Sequence, residues 1–99
     1  MTIISEELVR YMKKREMRIS VRDLATDLSS FTGIKLDIIL PDKVVSQDSL
    51  INEFLEYCTR CKKMIGTHKD LLMFLTSKYR VGYHLPLGRV RSNPTRGRW

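Results

Sequence analysis

The spacing of apolar residues along the chain predicts four helices. In each, apolar positions recur at intervals of three and four residues, the period of one helix face, and a Ser or Thr that can cap the first turn stands just before them. The predicted helices are 5–16, 21–30, 46–63 and one that begins near Thr67 and ends at about Ser77. The capping residues are Ser5, Ser20, either Ser46 or Ser49, and Thr67 together with Asp70.

Two other segments alternate apolar and polar residues, the period of a β-strand. The first is 34–40, which Pro41 ends, and the second is 79–87, where Pro86 limits the strand to a sheet edge or to its own end. Beyond Gly88 the sequence combines turn-forming residues with arginines and has almost nothing to bury, so we expect a flexible tail.

These elements predict a small α+β domain with four helices and two short strands, in the order α-α-β-α-α-β. A chain of 99 residues is long enough for one hydrophobic core and too short for two. We therefore expect one compact domain over 1–88, with a divergent winged-helix arrangement as one form of it, and a basic tail over 89–99. A mainly helical bundle is the alternative.

Residues 21–40 begin like a helix-turn-helix unit, in which a second helix reads the major groove of DNA. The helix that should follow 21–30 is replaced by the alternating segment, so the recognition helix is missing from its usual place. In a variant of this hypothesis the 46–63 helix is the reader, and its polar candidates are Ser46, Gln47, Asn52, Arg60, Lys62 and Lys63. The competing interpretation is an ordinary amphipathic helix packed on the core.

Positive charge is concentrated at the C-terminal end of the chain. Residues 1–70 carry 12 Lys or Arg and 11 Asp or Glu, whereas residues 71–99 carry six cations and no acid. The six cations are Lys78, Arg80, Arg89, Arg91, Arg96 and Arg98, interleaved with Tyr79, Tyr83 and Trp99. Arginine suits phosphate geometry and aromatic rings stack on bases, so the segment predicts contact with nucleic acid. A solubilising tail, or one that binds an acidic protein surface, would show the same composition.

The chain has two cysteines and two histidines, and together they could supply four ligands for zinc. The candidates are Cys58, Cys61, His68 and His84. Their spacing matches no zinc-finger pattern, and both cysteines fall on the apolar stripe of the predicted third helix, where cysteine packs as a small hydrophobic residue. We therefore expect no cofactor or metal, with core packing favoured over a zinc site and over a redox pair.

Several functional classes lack their sequence signals. The chain has no phosphate-binding loop, no dinucleotide-binding glycine pattern and no hydrolase or metalloprotease motif, so we do not expect an enzyme. No apolar run is long enough to span a bilayer and the first residues lack the pattern of a secretion signal, so we expect no membrane partner. Two closely spaced cysteines indicate a reducing, cytoplasmic compartment.

The leading functional hypothesis is a small regulatory protein of bacterial, phage or plasmid origin that binds nucleic acid, with DNA expected ahead of RNA. The basic C-terminal strand and tail would contact phosphates, assisted by cations of the second and third helices. The expected contacts are Lys78, Arg80, Arg89, Arg91, Arg96, Arg98, Arg60, Lys62, Lys63 and Arg22. The alternative is an adaptor or inhibitor whose basic tail docks in an acidic groove of a larger assembly.

Overall fold

The computed structural model describes residues 2–79, in which every helix follows a short strand directly. The elements are β1 (Ile3–Ile4), α1 (Glu6–Lys13), β2 (Arg18–Ser20), α2 (Val21–Thr32), β3 (Val44–Ser46), α3 (Gln47–Arg60), β4 (Ile65–Gly66) and α4 (His68–Tyr79). The predicted α+β class and the four predicted helices are confirmed. None of the helices in this part of the chain has the length and the apolar run needed to cross a bilayer.

The four helix starts are built alike, because a capping residue is itself extended and can continue a strand. Ser5, Ser20 and Ser46 have φ between −60° and −77° and ψ between 128° and 149°, and each hydroxyl accepts from the backbone N–H three residues later. Thr67 does the same for α4. Each helix therefore begins without a connecting loop, and the strand before it fixes its direction.

The four strands form two separate pairs that are nested in the sequence. The inner pair is antiparallel, with Ile19 of β2 opposite Val45 of β3. The outer pair is parallel, with Ile3 of β1 opposite Ile65 of β4. The outer pair therefore joins the start of the described chain to the entrance of α4.

The apolar faces of the helices meet in one core. Its members are nearly inaccessible to solvent and come from all four helices and from the segment before β3. They are Leu8, Tyr11, Met12, Val21, Leu24, Ala25, Leu28, Leu40, Leu50, Phe54, Cys58, Leu71, Leu72, Phe74 and Leu75. These buried faces repeat with the helix period seen in the sequence, and Cys61 is the exception because it is exposed.

The strand predicted over 34–40 is wrong. The side chains of this segment do alternate between buried and exposed positions. Ile34, Leu36 and Ile38 are half-buried and Leu40 is buried, whereas the residues between them are exposed. However, no strand within residues 2–79 pairs with this segment, which lies instead along α2. Alternation fixes which side chains point inward, and here the partner surface is a helix.

Other predicted ends also differ from the structure. The first helix ends at Lys13 rather than at residue 16, and the second ends at Thr32 rather than at residue 30. The third helix ends at Arg60 rather than at residue 63, and Ile65 lies in β4. Tyr79, expected to open the second strand, is the last residue of α4. The rest of that predicted strand and the predicted tail over 89–99 lie outside the described residues.

Candidate nucleic-acid interface

Five of the ten residues predicted to contact phosphates lie within residues 2–79, and they occupy three separate places in the fold. Arg60, Lys62 and Lys63 lie at the C-terminal end of α3, Lys78 lies in the last turn of α4, and Arg22 lies in the first turn of α2. The other five are outside the described residues: Arg80, Arg89, Arg91, Arg96 and Arg98.

Two of these cations share an open cleft between α3 and α4. Arg60 and Lys78 line it, and the cleft has a volume of about 380 Å³. Glu53 and Glu56 line the same cleft, and the Lys78 ammonium forms an ion pair with Glu53. The cleft is thus of mixed charge, and a phosphate approaching Lys78 competes with a carboxylate already in place.

Burial and the nearby cation of Lys43 lower the pKa of Lys78 below its ordinary value. A second anion close to Lys78 would oppose both effects, because it favours the charged ammonium. Among the described residues, Lys78 therefore has one carboxylate partner, Glu53, and one nearby cation, Lys43.

The turn that follows α3, which we call the basic turn (Arg60–Lys63), is a Schellman motif. The Lys63 N–H donates to the Cys58 carbonyl at 2.9 Å and the Lys62 N–H donates to the Thr59 carbonyl at 3.0 Å, the two bonds that define this motif. Lys62 occupies its left-handed position with φ of 59°, where glycine is usual. The turn thus projects a lysine from a position that disfavours any side chain.

Replacing Lys62 with glycine is expected to raise the free energy of unfolding by about 0.5–1 kcal/mol, because glycine adopts the left-handed conformation without its steric cost. Denaturant unfolding of the purified variant measures the change. Lys62→Ala is the matched control, since it removes the same charged side chain but keeps the steric cost of a Cβ at a φ of 59°. A Lys62→Gly protein no more stable than the Lys62→Ala protein would contradict the described turn.

Lys63 is held differently, by an ion pair to the start of α4. Its ammonium lies 3.2 Å from Asp70, which also accepts from the Thr67 N–H at 3.0 Å and from the Thr67 hydroxyl at 2.9 Å. Burial raises the pKa of Asp70, but these hydrogen bonds and the Lys63 charge outweigh it and leave that pKa below its ordinary value. Asp70 therefore stays ionised and ties the basic turn to α4.

The helix-turn-helix hypothesis is not supported by the elements that follow α2. The next helix, α3, begins only at Gln47, and the intervening chain contains β3. Two polar candidates of α3 are already engaged: Ser46 caps the helix, and the Gln47 amide donates to the Met12 and Glu16 carbonyls. Asn52 is exposed on the same helix.

Arg22 packs against the extended segment in front of β3. Its Nε donates to the Leu40 carbonyl at 2.8 Å, and its side chain lines a cleft with Leu36, Ile38 and Leu40. Arg22 therefore helps to hold this segment against α2.

Three of the four predicted zinc ligands lie within residues 2–79, in different surroundings. Cys58 is buried in the core, whereas Cys61 caps the end of α3 and is exposed, so the prediction that both sulfurs lie on the apolar stripe is wrong for Cys61. His68 stacks on Phe31, with ring centroids 4.3 Å apart, and meets the edge of Tyr11. Within residues 2–79 no three His, Cys, Asp or Glu side chains converge as metal ligands, and His84 lies beyond that range.

Two features of this region had no clear signal in the sequence. The left-handed backbone of Lys62 lacks the glycine that normally marks it, and the pairing of Ile3 with Ile65 joins residues far apart in the chain. Comparison with protein families, curated proteins and solved structures gives no match for this chain.

Proposed function

We propose that this protein binds nucleic acid, DNA ahead of RNA, through the arginine-rich segment that follows α4. The observation that carries the proposal is the distribution of charge. Residues 2–79 contain 13 Lys or Arg and 11 Asp or Glu, whereas residues 80–99 contain five arginines and no acid. A positive field confined to one segment favours a polyanion, because each neutralised phosphate releases counterions.

The ion pairs of the folded part support the proposal. Asp27, Asp70 and Glu53 each pair with a cation of residues 2–79, namely Arg15, Lys63 and Lys78. The negative charge of these carboxylates is therefore partly neutralised by cations of the folded part itself. We infer that phosphates compete favourably with these three carboxylates for the arginines of residues 80–99.

The residue types of the segment also suit this role. Arginine donates two parallel hydrogen bonds to a phosphate, and the aromatic rings of Tyr83 and Trp99 can stack on bases without sequence preference. The basic turn adds cations from the folded part. The two free cysteines accord with the reducing, cytoplasmic compartment that we propose for such a protein.

Neutralising the arginines of residues 89–98 is expected to weaken binding to a random-sequence DNA duplex by about 100-fold at low salt, since several phosphate contacts are lost. The variant changes Arg89, Arg91, Arg96 and Arg98 to Gln in the full chain, and fluorescence anisotropy measures its affinity. The control neutralises four exposed cations elsewhere, namely Arg10, Lys13, Lys14 and Lys35.

Both variants remove the same net charge, so the comparison separates a local contact surface from a general charge effect. If the proposal is right, the affinity of the control variant for DNA stays within about threefold of that of the wild type. Equal losses in the two variants would contradict it. Absence of binding in every form would instead favour the alternative, in which the segment docks on an acidic protein surface.

A further inference from the structure

His68, the first residue of α4, is a polar side chain enclosed by aromatic rings, and it is only 7% exposed. Its ring stacks on Phe31 of α2, with centroids 4.3 Å and planes 22° apart, and meets the edge of Tyr11 of α1 at 4.8 Å. Its Nε2 is buried and has no hydrogen-bond partner within residues 2–79. A neutral imidazole tolerates these surroundings better than an imidazolium, which would bury a charged N–H without an acceptor.

The position of His68 at the start of α4 also disfavours a proton on its ring. The first turn of a helix carries the positive end of the helix dipole, which repels a cation. Burial is the largest cause that lowers the pKa of His68 below its ordinary value of 6.5, and the Arg15 cation of α1 acts in the same direction. The Glu7 carboxylate, also on α1, opposes these effects and does not outweigh them. His68 is therefore neutral at neutral pH.

The other acidic groups near this contact are already engaged. On α2, Asp27 accepts from the Tyr11 hydroxyl and forms an ion pair with Arg15. On α4, Asp70 forms an ion pair with a lysine of the basic turn. Lys69, the neighbouring cation on α4, is exposed to solvent. Glu7 is therefore the carboxylate that remains for a protonated His68.

Glu7 and Phe31 allow a second arrangement of His68. Glu7 lies one helix turn before Tyr11, so the two residues share a face of α1. Its side chain is exposed, and within residues 2–79 it forms no ion pair. Phe31 lies in the last turn of α2 and is 60% exposed, so turning its ring aside loses little buried surface and uncovers the imidazole.

We propose that the stack of His68 on Phe31 is an acid-sensitive contact. When the imidazole takes up a proton from solvent, it leaves the stack and forms an ion pair with Glu7. The start of α4 then exchanges an aromatic contact with α2 for a charged contact with α1, while the core residues of α4 stay buried. This goes beyond the proposed function, because it assigns a pH response to the folded part and involves none of the arginines of residues 80–99.

The contact links the stability of the fold to pH. The pKa of His68 is lower in the folded protein than its ordinary value of 6.5, so the unfolded chain takes up the proton first as the pH falls. The stabilisation from the neutral ring is present above pH 6.5 and is lost as the pH falls through the folded-state pKa. Asp27 and Asp70 have pKa values below 3.8, so their protonation belongs to a more acidic range.

The test is an NMR titration of the imidazole in the full-length protein, in a His84→Gln background that leaves His68 as the only histidine. We expect its pKa to lie below 6.5, to rise toward 6.5 in Phe31→Ala, where the cover is removed, and to fall further in Glu7→Gln. Glu6→Gln is the matched control. It removes the same charge one residue away, from a side chain that pairs within α1, and should leave the pKa of His68 unchanged.

A second measurement follows the movement of the ring in the background protein. Nuclear Overhauser contacts between the rings of His68 and Phe31 are expected at neutral pH and should vanish when His68 is protonated, while the core leucine methyl groups keep their folded chemical shifts. Ring contacts that persist in the protonated form would overturn the proposal, as would loss of the folded core shifts together with those contacts. It would also fail if Phe31→Ala left the pKa of His68 unchanged, or if Glu6→Gln and Glu7→Gln shifted it equally. Because this titration contains no nucleic acid, either proposal can fail alone.

Discussion

Replacing Gly66 with alanine is expected to lower the free energy of unfolding by about 2 kcal/mol, as overpacking a well-filled core does. A Cβ at this position would lie 2.8 Å from Cζ and 2.9 Å from Cε2 of Phe54, closer than carbon atoms approach in proteins. Phe54 is fully buried, and the same Cβ would lie 3.4 Å from the Sγ of Cys58. Denaturant unfolding measures the loss.

Two comparisons make this result specific to the contact with Phe54. Gly33→Ala meets no atom within 4 Å, and its cost of about 1 kcal/mol should come from its left-handed φ of 78° alone. Combining Gly66→Ala with Phe54→Leu removes the colliding ring atoms, so the double variant should lose less stability than the sum of the two single losses. Strict additivity would contradict the described packing of β4 on α3.

Replacing Asp70 with alanine is expected to lower the free energy of unfolding by about 2 kcal/mol at neutral pH, since the hydrogen bonds by which its buried carboxylate caps α4 are lost. The loss should depend on pH. The pKa of Asp70 in the folded protein lies below its ordinary value of 3.8, so its contribution is present above that value and disappears as the pH falls through the folded-state pKa. Denaturant unfolding of both proteins at neutral and strongly acidic pH measures this.

The neighbours of Asp70 provide the controls. Lys63→Ala removes only the exposed partner and should be milder than Asp70→Ala, whereas Thr67→Ala removes the other half of the capping box and should approach it. A difference between wild type and Asp70→Ala that stays constant down to strongly acidic pH would contradict the ionised, buried state of Asp70.

The helices could be predicted from the sequence because their determinants are local. Each start depends on a cap and an acid within three residues, as at Ser20 and Asp23, and each buried face repeats with the helix period. The third helix was predicted too long because its end depends on Lys62, whose left-handed backbone has no sequence signal. Because the helix ends at Arg60, Cys61 is exposed and is not part of the apolar face.

The strands could not be predicted because they are short and their partners are distant. β1 and β4 are two residues long and pair across most of the described chain, as Ile3 does with Ile65. The segment over 34–40 has the better strand pattern, yet its inward side chains pack on α2. An alternating apolar pattern predicts which side chains point toward the core. Whether the segment pairs as a strand depends on which element lies beside it, and the pattern does not show that.

The candidate site was predicted in its charges but not in its arrangement. The sequence alone identified the cations at the end of α3 and in α4. In the structure, Arg60 and Lys78 line one cleft together with two glutamates. It also shows that Lys63 is tied to Asp70. Ion pairs between residues that lie far apart in the sequence follow only from the fold.

The central claim is that the arginine-rich segment binds a polyanion through several phosphates, and the salt dependence of binding tests it most directly. The affinity of the wild-type protein for a random-sequence DNA duplex is measured over a range of salt concentrations. The logarithm of affinity against the logarithm of salt is expected to fall with a slope of about −4 or steeper, at roughly −0.9 per phosphate contact. A slope near zero, or no binding even at low salt, would contradict the claim.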